Sequence, residues 1–336
     1  MNKGYLKFLF FSVFGKLIKH RGEGNYRFYG LDSPTPLLSP QEYVFDPISD
    51  MEGPKRNDAD SVIYVCSPTQ RSGTNYLANV LRLSNEIYIP EGEDLPSEHF
   101  FVSYGSDLSR YIKKTLSYWG KWVKDPLTIT GYHSKLLSLF GDGIVRFFVQ
   151  DAVDGKRLLL RTPDAGGLEF FFHLFPAGHI VCIVRDGRDT VDSFLRSFSG
   201  DWAFRKFCKR WASRIDYVYD LKETLDQRGL GERLILVSYE EINIDPEEPV
   251  KNLLESLHLS NEKYQWDKLS KIPVLGSSTQ YKDKSGQGDF WKPGEKVDAS
   301  KFSQKWLNWS PRKKRIFKSL AGAQLIRAGY EVNQDW

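Results

Sequence analysis

Short runs of contiguous apolar residues alternate along this chain with longer stretches of helical spacing. Val62–Cys66, Arg157–Leu160, His179–Val184 and Arg233–Val237 are rich in Val, Ile, Leu and Cys. Runs this short and this apolar predict strands buried on both faces, as in a parallel sheet. After the first of them the spacing turns helical from about Asn75, with Tyr76/Val80 and Leu77/Leu81 each one turn apart. Asp107–Lys124 predicts an amphipathic helix, with Leu108, Ile112, Leu116, Trp119 and Val123 near one face and lysines elsewhere. Core packing is the expected role for Trp119 and Trp122, ahead of stacking on a sugar ring. Leu127–Thr130 reads as a short strand leading to His133. Further helices are predicted over Leu168–Phe175, ended by Pro176, over Trp202–Arg228, closed by Gly229, and over Pro249–Leu257. A last helix covers Pro311–Ala328, with Ser310 as N-cap and Pro311 at the first position. Strands alternating with helices predict one α/β domain with a mostly parallel sheet flanked by helices on both faces.

The chain divides by composition. Residues 1–58 form a basic, apolar N-terminal segment and an irregular lead-in with Pro34, Pro36, Pro40 and Pro47; residues 59–336 form the α/β domain. Within that domain, residues 102–155 read as an insertion. Tyr5–Ile18 is strongly apolar but is interrupted by Lys7 and Lys16. It falls short of the roughly 20 apolar residues that span a bilayer. With Lys3, Lys19 and Arg21 it reads equally as an interfacial helix making peripheral membrane contact or as a helix docked on the domain.

Charge and cysteine content narrow the picture. The formal net charge is +4 over 336 residues, which suits an anionic ligand and is too weak to imply nucleic acid. Cys66, Cys182 and Cys208 have neither paired nor metal-like spacing, so a reducing, cytoplasmic location is expected, with membrane association left open by the N-terminus. No His/Cys cluster suggests a structural metal.

The chemistry gathers at two strand ends. After Val62–Cys66, the turn Ser67–Thr74 carries Arg71, Ser72, Gly73 and Thr74 and runs into a helix N-terminus at Asn75. The first amides of a helix lack internal partners and its dipole favours negative charge, so strand, turn and helix together make an oxyanion site. After His179–Val184 comes Arg185-Asp186-Gly187-Arg188-Asp189, with Ser193 eight residues after Arg185, about two turns into the next helix. Ligands of open α/β sheets bind beyond the carboxyl ends of the strands, and a guanidinium makes bidentate contacts with phosphate. One of Arg185 and Arg188 is expected to be structural, neutralised by Asp186 or Asp189. Two oxyanion sites on separate strand ends suggest a ligand phosphorylated at two places.

Ser67–Leu77, SPTQRSGTNYL, resembles the 5′-phosphosulfate-binding loop of sulfotransferases that use 3′-phosphoadenosine 5′-phosphosulfate (PAPS). Arg185-Asp186-Gly187-Arg188 with Ser193 resembles their 3′-phosphate motif. Arg161-Thr162-Pro163 is similar to the family's Lys-Ser/Thr-Pro turn, Val237–Leu259 to its strand-Tyr-Glu segment, and Trp306–Tyr330 to its closing helix. The likeness runs from about Ser61 to Tyr330 and looks closer to the carbohydrate and tyrosylprotein branches than to the aryl type. Arginine stands at 71 and 161 where lysine is more usual.

The resemblance implies a P-loop-like fold and transfer of a sulfuryl group from PAPS to an acceptor hydroxyl, with 3′,5′-diphosphoadenosine as product and no metal. It implies that Arg71, Ser72, Gly73, Thr74 and Asn75 hold the 5′ end, that Arg185 and Ser193 hold the 3′-phosphate, and that Tyr239 lies near the adenine. Arg71 and the Gly73/Thr74 amides would stabilise charge at the breaking bond, with Arg161 a second cation. Gly276-Ser277-Ser278 reads first as a surface turn and second as a loop closing over the cofactor. The acceptor hydroxyl needs a base. Glu98, in the run Glu98-His99-Phe100-Phe101, ranks first; that run is one residue shorter than the family's Glu-x-His-Phe-Phe. Glu91 and His133 follow, with Glu93 a further carboxylate of the stretch Ile87–Phe101, which reads as a loop dense in carboxylates. A glycan, lipid-linked or small-molecule hydroxyl is ranked before a protein tyrosine as acceptor. The alternative function is a P-loop nucleotide kinase or other phosphotransferase, against which stands the missing GxxxxGK[ST] spacing.

Overall fold

The computed structural model describes residues 62–90, 98–123, 125–149, 155–199, 201–272 and 304–336. Five parallel strands make the sheet: β1 (Ile63–Cys66), β2 (Ile87–Tyr88), β3 (Arg157–Thr162), β4 (His179–Val184) and β5 (Leu234–Ser238), in the order β2-β3-β1-β4-β5. Of the four apolar runs, His179–Val184 is β4 as predicted, and the other three shift by one or two residues at one or both ends. The two-residue β2 lies where the sequence reads as loop, because so short a pairing leaves no periodicity to detect.

Alternation along the strands separates two cores. Val62, Tyr64, Cys66, Leu158, Leu160, Ile180 and Cys182 face one side, and Ile63, Val65, Leu159, Val181 and Ile183 the other. The first face is covered by α2 (Gly105–Trp119), α3 (Pro126–Val149), α4 (Phe171–Leu174), α5 (Gly187–Phe194), α6 (Phe204–Gln227) and α10 (Pro311–Arg327), with Trp211 and Phe317 fully buried among them. The second is covered by α1 (Thr74–Leu81), α7 (Tyr239–Ile244), α8 (Glu247–Ser256) and α9 (Trp266–Leu269). A parallel sheet with helices on both faces is the fold that the apolar runs predict.

Two local expectations are overturned. Leu127–Thr130 is the first turn of α3, not a strand. Asp125 accepts hydrogen bonds from the amides of Leu127 and Thr128 at 3.2 and 3.0 Å, which caps that helix start. Trp119 and Trp122 are not core residues: they are 41% and 75% exposed. The apolar face of α2 is instead closed by Ile112 and Leu116. Ser310 caps α10 as expected, its hydroxyl accepting from the Lys313 amide at 3.3 Å.

Register fixes the position of the chemistry. Cys66 pairs with both Thr162 and Cys182, and Val184 pairs with Ser238. The loops after β1, β4 and β5 therefore leave from one edge of the sheet and bring Arg71, Arg185 and Tyr239 to it, and Arg161 stands near the end of β3 at the same edge. Cys66 and Cys182 sit side by side as buried free thiols, and Cys208 is also free and buried.

Candidate active site

The turn after β1 folds on itself before α1 begins. The hydroxyls of Ser67 and Ser72 both donate to the Thr69 carbonyl, at 2.8 and 2.9 Å. Arg71 and Gly73 adopt positive φ of 78° and 103°, which turns the chain into the helix. Position 73 admits only glycine, for a Cβ there would lie 2.5 Å from the Tyr239 ring. No side chain caps α1 and no acidic residue occupies its first turn. Its leading amides therefore face the sheet edge as an electropositive end. The Thr69 hydroxyl is buried in this turn with no partner.

The turn after β4 meets the first one. Arg71 Nε donates to Ser193 Oγ on α5 at 3.1 Å, and Arg185 Nη1 donates to the Arg71 carbonyl at 3.1 Å. The Arg185 guanidinium lies 4.6 Å from the centre of the Tyr239 ring. Arg71, Gly73, Arg185, Ser193 and Tyr239, predicted on three separate segments, are thus one contiguous group. Thr74 and Asn75 form the first turn of α1 beside it. The Ser72 hydroxyl hydrogen is committed to the turn itself. Burial, Arg185 and Arg196 together push the Arg71 guanidinium down to about 10, so it stays charged at neutral pH.

Arg188 is the structural arginine of the pair. Its guanidinium is bonded to Asp186 at 2.7 Å and to Glu331 at 2.5 Å, and lies 3.8 and 4.6 Å from the ring centres of Trp306 and Trp336. Asp186 also caps α5 by accepting from the Arg188 amide at 2.8 Å. The Asp186 amide donates to Glu240 at 3.1 Å, and Glu240 accepts from Tyr330 at 2.8 Å. Arg188 thereby ties the C-terminal residues to the turn that carries Arg185.

Two cations near this group escaped the sequence reading. Arg196 lies one turn beyond Ser193 and pairs with Asp192 at 2.7 Å. Lys305 feels Arg196, Asp192, Asp189 and Arg185, and burial pushes its ammonium down. The Gln304 amide beside it donates to Asp189 at 2.8 Å. Burial pushes Asp189 up to about 6, against the pull of that hydrogen bond and of Arg185. The helical spacing from Ser193 could have found Arg196, whereas Lys305 is too distant in sequence to leave a signal.

Arg161 and Glu98 form the other flank. Arg161 is buried in β3 as the register partner of Val65, on the face shared with Leu159 and α1. Residues 98–100 run beside the upper end of β3: the His99 amide donates to the Arg161 carbonyl at 3.0 Å, and the Phe100 amide donates to Thr162 Oγ1 at 3.1 Å. Burial raises the Glu98 carboxyl above the ordinary glutamate range, partly offset by the Arg161 charge. His99 Nδ1 accepts from the Arg161 amide at 3.1 Å, and burial together with Arg161 pushes the imidazole down to about 4. With that lone pair occupied, the ring proton sits on Nε2, and His99 has no lone pair left to act as a base.

His133, the third-ranked base, lies inside the helical layer. It is fully buried between α3 and α2, bonded to Ser109 at 3.0 Å, and burial pushes it down to about 4. Glu91, Glu93 and the Gly276-Ser277-Ser278 loop lie outside the described residues. Among the described residues, no cluster of His, Cys, Asp and Glu could hold a metal ion.

An α/β sheet whose strand ends bring together two arginines, a serine hydroxyl and an uncapped helix start has an electropositive edge that suits an oxyanion. Residues 65–263, more than half the chain, match the family profile described as "Sulfotransferase family", and the chain belongs to that family. No curated protein sequence matches the chain. Among solved structures, the sulfotransferase domain of the Synechococcus PCC 7002 olefin synthase is 18% identical, covering 80% of this chain and 96% of that one with a TM-score of 0.48. The sulfotransferase domain from the curacin biosynthetic pathway is 17% identical, over 78% and 97%, with a TM-score of 0.44. Mouse sulfotransferase SULT7A1, solved with PAP, is 13% identical, over 84% and 90%, with a TM-score of 0.44.

Proposed function

We propose that this sulfotransferase takes its sulfuryl group from PAPS and passes it to an acceptor hydroxyl, with Glu98 as general base. The observation that carries the reading is the meeting of Arg71, Arg185 and Ser193 at bonding distance across two strand-end loops. A cradle with cations and hydroxyls from two loops suits a nucleotide charged at both its 3′ and 5′ positions. The buried, unpartnered Thr69 hydroxyl and the uncapped start of α1 supply further donors at the 5′ side.

Arg185, Ser193 and Lys305 would hold the 3′-phosphate. Arg71 with the Gly73, Thr74 and Asn75 amides would hold the 5′ end, and Tyr239 would face the adenine. Bound there, the donor supplies a sulfuryl group and a 5′-phosphate leaving group. Arg71 and Arg161 stabilise negative charge at the strand ends without a proton transfer of their own. Glu98 removes the proton of the attacking hydroxyl, and its raised affinity for a proton fits that role.

The α2–α3 segment supports an acceptor-side insertion within residues 102–155, and the acceptor we favour is a glycan, lipid-linked or small-molecule hydroxyl. The carbohydrate and tyrosylprotein branches remain the nearer relatives in this reading. The free buried thiols fit a cytoplasmic location. No helix among the described residues is long and apolar enough to cross a membrane. The test is transfer of label from radiolabelled PAPS to a panel of hydroxyl acceptors. Transfer by the wild type and its loss in Arg71→Ala support the reading; transfer from ATP instead, abolished by chelator, contradicts it.

A further inference from the structure

The exposed apolar residues are unevenly placed. Of fourteen large hydrophobic side chains exposed among the described residues, ten fall between Tyr104 and Phe147, on α2, α3 and the turns beside them. A scatter of single exposed rings needs no explanation, but a concentration of this kind marks an interaction surface.

The pattern on each helix is regular. On α2 and its flanks, Tyr104, Tyr111 and Tyr118 recur every seven residues and are 57%, 70% and 43% exposed, away from the buried stripe Ser109, Ile112 and Leu116. On α3, Tyr132, Leu139 and Phe147 lie near one line, away from the buried stripe His133, Leu137 and Ile144. The two stripes join, for Trp119 packs edge-on to Tyr132 at 6.1 Å between ring centres. At the other end the surface reaches the candidate site. Phe147 packs on Phe148 at 5.0 Å, and Phe148 packs on His99 at 5.1 Å, next to Glu98.

Charge says what this surface meets. Residues 104–149 contain seven lysines and arginines against three aspartates and no glutamate, an excess of four that equals the formal net charge of the whole chain. Lys114 and Lys121 are exposed and follow the same side of α2 as Tyr111 and Tyr118, with the Lys121 ammonium 5.7 Å from the centre of the Tyr118 ring. Tyrosine and tryptophan settle at the boundary between headgroups and acyl chains, and lysines beside them are drawn to anionic lipid.

We propose that the α2–α3 hairpin is a membrane-docking surface that seats the protein on an anionic bilayer and sets Glu98 at the headgroup level. Resting on the sulfotransferase reading above, this makes the acceptor a hydroxyl presented by a membrane-borne molecule.

The experiment is co-sedimentation of the full chain with vesicles of phosphatidylcholine alone and of phosphatidylcholine with phosphatidylserine. The wild type should bind the anionic vesicles and release them as salt rises. The triple variant Tyr118→Ser/Trp122→Ser/Phe147→Ser and the charge variant Lys114→Glu/Lys121→Glu, all at exposed positions, should each lower partitioning about tenfold or more. Both should retain wild-type affinity for 3′,5′-diphosphoadenosine, which reports on the donor site independently of the membrane. Unchanged vesicle binding in both variants overturns the proposal, as would follow if the N-terminal segment alone binds lipid or covers this face. A dimer by light scattering that the triple variant dissolves, without loss of vesicle binding, also overturns it in favour of a second copy of the chain. Loss of diphosphoadenosine binding in the wild type would instead strike the sulfotransferase reading and leave the docking surface standing.

Discussion

Arg71 Nε donates to Ser193 Oγ at 3.1 Å across 122 residues of sequence, joining the turn after β1 to the helix after β4. This bond joins the two candidate oxyanion sites. Ser193→Ala should lower affinity for 3′,5′-diphosphoadenosine about tenfold, the weight of one hydrogen bond to a charged partner. Titration calorimetry on the variant checks it, with an unchanged melting temperature as control.

Glu98 should control the acid side of the pH profile. Burial raises its carboxyl above the ordinary glutamate value of about 4.3, so a base at this position is protonated and inactive at low pH. Activity should rise with pH through that elevated value. In Glu98→Gln, kcat should fall on the order of 10²- to 10⁴-fold with donor affinity intact. A variant that keeps the wild-type profile would move the base to Glu91 or Glu93.

Arg188 should matter for folding and not for phosphate contact. Its charge is buried between Asp186, Glu331 and two tryptophan rings. Removing it strands the carboxylates, and Arg188→Met should cost about 3–5 kcal/mol in denaturant unfolding.

Asp189 should make stability fall as pH rises. Its folded pKa is about 6, against about 3.9 in an unfolded chain, so its contribution is full below about 4 and is lost as pH passes 6. Asp189→Asn removes that loss. The variant should melt above the wild type at pH near 8, by an amount on the order of 2–3 kcal/mol, and close to it at pH near 4.

What was legible in the sequence follows from how locally each feature is encoded. The strands showed because each is a run of apolar residues buried on two faces, and the loops with Arg71 and Arg185 showed because they follow those runs directly. The strand order, which puts β1 between β3 and β4, has no local signal, yet it is what brings Arg71 to Ser193. Lys305 was invisible for the same reason. The error at Leu127–Thr130 came from reading a β-branched run without the capping Asp125 two residues before it. Trp119 and Trp122 were misassigned because helical spacing shows that residues share a face, not whether that face is covered.

The central claim is that Arg185 grips a 3′-phosphate while Arg71 serves the 5′ end, and binding of 3′,5′-diphosphoadenosine tests it most directly. Calorimetry on wild type, Arg185→Ala and a comparison with adenosine 5′-phosphate separates the two ends. The account predicts that Arg185→Ala loses on the order of 10²-fold in affinity for the diphosphate and little for the monophosphate. Wild-type affinity for the diphosphate in Arg185→Ala would contradict it.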